Sequence, residues 1–195
     1  MSIINTYLRA NLAAALLLVL LILMGCETRQ PLMEAAIRGD SRSVQLLSQD
    51  DVNQKDQMGR TALIYAASHG HLPIVRDLVE RGGNINTVDY SGLTPLMAAV
   101  LSHRVAVARY LLERKAAVNA QDVTGTTILV YAINTNVPEM VQLLLRYGAD
   151  PTLLPAKGTL ADIADNKTAY EHAVLKGNEE IIRLIKEAEK KKLSQ

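Results

Sequence analysis

Tryptophan and phenylalanine are absent from this chain, and all seven of its aromatic residues are tyrosines. A core without large rings must be filled by Leu, Ile, Val and Ala, a palette that favours packed helices. Cysteine occurs once, at Cys26, so no intramolecular disulfide framework is possible. Charge of one sign is lacking too: after Cys26 the chain carries 20 basic and 20 acidic residues, because of 21 Lys and Arg only Arg9 precedes it. That balance excludes the clustered positive surface a nucleic-acid binder needs. The Lys190–Lys192 run follows Glu187 and Glu189 and reads as a solvated helix terminus that suits the helix dipole. Catalytic signatures are missing as well. There is no Gly-x-Ser-x-Gly elbow, no phosphate-cradling Gly-rich loop and no His-Glu-x-x-His, so an enzyme is not expected.

What is present is repetition. Asp56, Gly59, Thr61, Leu63, Ala66 and Asn86 return 33 residues later as Asp89, Gly92, Thr94, Leu96, Ala99 and Asn119, and again in part as Asp122, Gly125, Thr127, Leu129 and Ala132. A period of this length marks stacked units that cannot bury their apolar faces alone. With 195 residues, 49% of them hydrophobic, there is enough material for one continuous core. Within each unit Gly59, Gly92 and Gly125 sit where a tight turn needs positive φ, and Thr61, Thr94 and Thr127 stand as helix caps. Small residues at Ala66, Ala67, Ala98, Ala99 and Ala132 allow close helix approach. Apolar spacing predicts second helices over 73–81, 105–114 and 138–147, with Gly70, Gly82 and Gly148 as left-handed stops.

These units resemble ankyrin repeats, best through Asp89, Gly92, Thr94, Pro95, Leu96, Ala98 and Ala99. The resemblance implies an all-α solenoid of stacked helix pairs with short turn or β-hairpin fingers. Full repeats are expected over 56–88, 89–121 and 122–154, with weak caps at 31–55 and 166–189, an insertion at about 158–166, and a polar tail at 190–195. In the amino-terminal cap Leu32, Ala35, Ala36, Val44, Leu46 and Leu47 read as apolar packing positions, and in the last unit Thr168 reads as a cap. The chain departs from the family where a histidine usually follows Thr-Pro-Leu: it has Ile64, Met97 and Val130, so apolar packing must replace that polar network.

Ahead of the repeats, Leu12 to Leu23 is an almost unbroken apolar run, short for a membrane span and laid out like a secretory signal. Leu23, Met24, Gly25 and Cys26 resemble the lipobox of bacterial lipoproteins. The resemblance implies cleavage of residues 1–25, acylation of Cys26 and a short linker over 26–30. Glu27 then favours the outer membrane, facing the periplasm. The alternative is an uncleaved signal anchor. Met33 is a candidate internal start for an untethered cytoplasmic form, or simply a core residue.

The ankyrin resemblance also implies where a partner would bind, at the turn tips and the inner face of the first helices. The matching positions are Gln57, Met58, Arg60, Ser68 and His69; Tyr90, Ser91, Leu93, Leu101 and Ser102; and Val123, Thr124, Thr126, Asn134 and Thr135. This strip is neutral and partly apolar, which suits a folded protein. No cofactor or metal is expected, although His69, His71 and His103, or Asp162 and Asp165, are the nearest to a metal set. Small bacterial ankyrin lipoproteins of this layout resemble immunity proteins that block toxic effectors, including type VI secretion phospholipases. The expected partner is therefore such an effector, with the lipid anchor at the membrane and the protein itself a monomer. The alternative is a scaffold for a resident envelope protein.

Overall fold

The computed structural model describes residues 31–47, 51–154 and 167–194. Among them lie ten helices in five antiparallel pairs: α1 Pro31–Arg38 and α2 Ser41–Leu46, α3 Ala62–His69 and α4 Leu72–Glu80, α5 Pro95–Leu101 and α6 Val105–Glu113, α7 Ile128–Asn134 and α8 Pro138–Arg146, α9 Ala169–Lys176 and α10 Glu179–Leu193. The odd-numbered inner helices stack on one another in chain order and the even-numbered outer helices form a second layer behind them. The fold is an all-α solenoid.

The reason for the inner layer is visible in α5. Pro95, Leu96, Met97, Ala98, Ala99 and Val100 are all buried, so this seven-residue helix is packed on nearly every side. Its small residues let α3 and α7 approach, and Ala66, Ala99 and Ala132 are wholly covered. The outer helices are amphipathic instead. In α4 Ile74, Val75 and Leu78 face inward, and Val107, Leu111 and Leu112 do so in α6. The positions that ankyrins usually give to histidine, Ile64, Met97 and Val130, are buried and apolar, consistent with packing in place of a polar network.

Of the two finger forms expected, turns are found: no strand forms among the described residues, and one isolated bridge joins Gln121 and Thr127. Two elements differ from the sequence reading. Leu46 is 75% exposed and takes no part in the core of the amino-terminal unit, whereas Val44 is fully covered. Finally, α10 continues to Leu193 through most of the expected polar tail; Lys190, Lys191 and Lys192 form its exposed last turn as expected, and Lys192 in addition reaches back to the preceding repeat. Its ammonium donates to the Asp150 carboxylate and, at 2.8 Å, to the Thr152 hydroxyl, tying the last helix to the turn that follows α8.

Thr168 caps α9 in a full capping box with Glu171, so the late restart of the repeat recovers a proper helix. Met33 is buried in α1. The 158–166 insertion, with Asp162 and Asp165, lies outside the described residues, as do Cys26 and the apolar run before it. Among the described residues no helix is long and apolar enough to cross a membrane.

Candidate partner-binding groove

Each finger is organised by one aspartate. Asp56 Oδ1 accepts from the Met58 and Arg60 amides at 2.8 and 2.9 Å, Asp89 Oδ1 from those of Ser91 and Leu93 at 2.9 Å, and Asp122 Oδ1 from those of Thr124 and Thr126 at 2.8 and 2.9 Å. A carboxylate that accepts two amides folds the turn and fixes the direction of the tip. Successive tips are then stitched together, since Tyr90 N–H donates to Met58 O at 3.0 Å and Val123 N–H to Ser91 O at 3.1 Å. Gly59 is required here, because a Cβ on it would meet the Tyr90 ring at 2.8 Å. Asparagines join neighbouring units lower down: Asn53 Oδ1 accepts from Asn84 N–H at 2.7 Å, and Asn119 Oδ1 from Asp150 N–H at 2.8 Å.

The result is an exposed ridge. Tyr90 is 73% exposed, Met58 55% and Val123 42%, with Gln57 and Ser91 beside them. Asn134 and Thr135 lie farther along, at the end of α7. Thr124 and Thr126 contribute less than the sequence implies, because their hydroxyls bond each other at 2.8 Å and Thr124 also donates to Asp122.

Behind the ridge the fold forms a groove of about 190 Å³ between α3 and α5. Six of the expected residues line it, namely Arg60, Ser68, His69, Leu93, Leu101 and Ser102, together with Ile64, Tyr65 and Ala98. The other nine expected positions lie outside it. Ser68 and Ser102 place their hydroxyl oxygens 3.1 Å apart at its edge. Arg60 enters from the first finger, and its Nε donates to Asp89 Oδ2 at 3.1 Å. This guanidinium also lies 5.9 Å from the Tyr65 ring centroid. Burial pushes the Asp89 carboxyl up, but hydrogen bonds from Ser91, Leu93 and Arg60 outweigh it and hold the group below its ordinary value.

Tyr65 is the feature that sequence reasoning missed. Its hydroxyl donates to Asp56 Oδ2 at 2.6 Å, and Tyr131 repeats the bond to Asp122 Oδ2 at 2.5 Å. The signal was a tyrosine nine residues after the finger aspartate in two of the three units. His69 and His71 stack with ring centroids 5.9 Å apart, but each serves the scaffold: His69 Nδ1 pairs with Tyr65 O at 2.9 Å and His71 Nε2 with Ile37 O at 3.1 Å. Among the described residues no group of three or more His, Cys, Asp or Glu side chains is placed to hold a metal ion.

A stack of helix pairs with aligned fingers and a neutral groove beneath an apolar ridge defines a helical-repeat binding scaffold. The family model for ankyrin repeats matches in overlapping stretches at 12–89, 32–122, 81–154 and 115–194, and the chain belongs to that family. It is therefore a protein–protein interaction module of the kind that binds folded partners. No match was found among curated proteins.

Proposed function

We propose that this ankyrin-repeat protein is a membrane-tethered immunity protein, which binds a toxic effector in the periplasm and inhibits it by covering its working surface. The effector class we favour is a type VI secretion phospholipase. The protein itself carries out no chemical step. The single observation behind this reading is the face shared by fingers and inner helices, where Met58, Tyr90 and Leu101 stand exposed beside a groove with one charged lining residue, Arg60. Such a face matches the mixed apolar and polar surface of a folded protein rather than a polyanion. Acylation at Cys26 would hold the inhibitor at the membrane under attack, since stable anchoring needs more than one acyl chain.

The test is capture of partners from native lysate on the tagged chain, followed by assay of any stoichiometric hydrolase with and without added protein. Loss of lipase activity on addition, relieved by Tyr90→Ala with Leu93→Ala, is the expected outcome. Capture of a resident envelope protein whose activity is unchanged would replace immunity with a scaffolding role.

A further inference from the structure

The 33-residue register carries Tyr65 to Ala98 and Ala98 to Tyr131. In the outer two of these repeats the phenol ring lies on the inner face and its hydroxyl closes onto the finger aspartate, at 2.6 and 2.5 Å. In the middle repeat there is no ring, and the second oxygen of Asp89 is taken by Arg60 from the preceding finger. The groove sits at this gap: Ala98 is part of its floor, with Ile64, Leu93 and Leu101 around it. It is thus a space that a periodic tyrosine ladder leaves open, and its volume of about 190 Å³ accommodates one aromatic side chain.

The charges say which occupant fits. Arg60 is the one formally charged lining residue, and the nearly buried Asp89 already neutralises it. A carboxylate in the groove would compete with Asp89 for the same guanidinium, and a cation would be repelled by it. A neutral ring gains from the guanidinium face and from the apolar floor without disturbing the pair, and a phenolic hydroxyl finds Ser68 and Ser102 at the edge. We infer that the gap at Ala98 is a socket for a tyrosine side chain presented on the surface of the bound protein. This rests on the protein-binding reading above and names one contact within it.

The socket can be tested without knowing the partner. Full-length ¹⁵N-labelled protein in detergent micelles is titrated with N-acetyl-tyrosinamide, N-acetyl-leucinamide and N-acetyl-aspartate amide, following the amide shifts of Leu93, Leu101 and Ser102. The tyrosine probe should saturate these shifts at roughly millimolar concentration, about tenfold below the other two. Ala98→Tyr should abolish the response while the thermal midpoint stays at or above that of the parent, because the new phenol takes Asp89 as its neighbours take Asp56 and Asp122. Should that variant not fold, Leu101→Ala, at an exposed position, should weaken the tyrosine probe about fivefold. Equal response to all three probes, stronger response to the aspartate probe, or an unchanged response in a folded Ala98→Tyr protein would overturn the socket. An effector inhibited equally by the parent and by folded Ala98→Tyr refutes the socket and leaves immunity standing. A saturating tyrosine probe with no effector inhibited supports the socket and removes immunity.

Discussion

Arg60 reaches across a repeat boundary to Asp89, its Nε 3.1 Å from Oδ2, and the carboxylate it meets is 2% exposed while the arginine is 32% exposed. The two partners are therefore unequal. Asp89 also accepts from the Ser91 amide and hydroxyl at 2.9 and 2.6 Å and from the Leu93 amide at 2.9 Å, so it holds the middle finger together. Asp89→Ala should destabilise the protein by about 3 kcal/mol, because several donors lose a charged acceptor at once. Arg60→Ala should cost about 1 kcal/mol or less, since the arginine is partly solvated and Asp89 keeps its other donors. Urea unfolding of both variants measures the difference, and equal losses would contradict this division.

Thr61, Thr94 and Thr127 share one repeat position but not one role. Thr94 and Thr127 accept from the Met97 and Val130 amides at 3.1 and 3.2 Å, whereas Thr61 makes no cap bond and its buried Oγ1 has no partner. Thr94→Val should therefore cost about 1 kcal/mol. Thr61→Val should be neutral or stabilising by about 1 kcal/mol, because it replaces an unsatisfied buried hydroxyl with a methyl of similar shape. The check is the difference in urea midpoint between the two variants at constant slope.

Legibility in the sequence follows the range over which each feature is determined. Repeat register, capping positions and helix starts depend on residues a turn or two apart, and Thr94, Pro95 and Gly92 announced them. The second helices come within a residue of expectation, as with α8 at Pro138–Arg146 against 138–147. The groove depends instead on Arg60 crossing from another repeat and on a side chain that Ala98 does not have. Thr61 looked like its counterparts because it shares their residue type, repeat position and extended backbone, φ −102° against −89° and −81° at Thr94 and Thr127, and differs only in the bond its hydroxyl does not make. Leu46 read as core because apolar character was visible, while the direction of a six-residue helix was not.

Lys115 holds a left-handed turn, φ 64°, at the position that Gly82 and Gly148 occupy in neighbouring repeats. An L-residue pays about 1–2 kcal/mol there, and glycine recovers part of it after its own loss of chain freedom. Lys115→Gly should stabilise by about 0.5–1 kcal/mol in thermal or urea unfolding. Asn136, at φ 58°, should not respond in the same way. Asparagine tolerates this region, and its Oδ1 accepts from Asn178 Nδ2 at 2.8 Å, a bond that glycine would lose.

The fingers and the turn after α8 also make stability depend on pH at both ends of the scale. Burial pushes the Asp56 carboxyl up, but the Tyr65 hydroxyl and the Arg60 and Met58 amides outweigh it, and the folded group sits below its ordinary value. Asp89 and Asp150 are lowered by similar donors against burial, with Lys192 foremost at Asp150. For each, the unfolded chain binds protons first as pH falls, so stability is full above the unfolded value of about 3.9 and is lost below it. Tyr65 and Tyr131 run the other way: burial first, then the bonds to Asp56 and Asp122, raise their hydroxyls above the ordinary value. Their contribution is full below about pH 10 and is lost as pH rises through the folded values. Thermal midpoints followed by circular dichroism should therefore be level between about pH 5 and 9 and fall on either side. Tyr65→Phe separates the two limbs in one variant. It removes the titrating hydroxyl, which should make the alkaline fall shallower, and it takes a donor from Asp56, which brings the folded carboxyl closer to its unfolded value and should make the acid fall smaller. An acid limb of unchanged size would mean that the Asp56 carboxylate is held by its backbone donors alone.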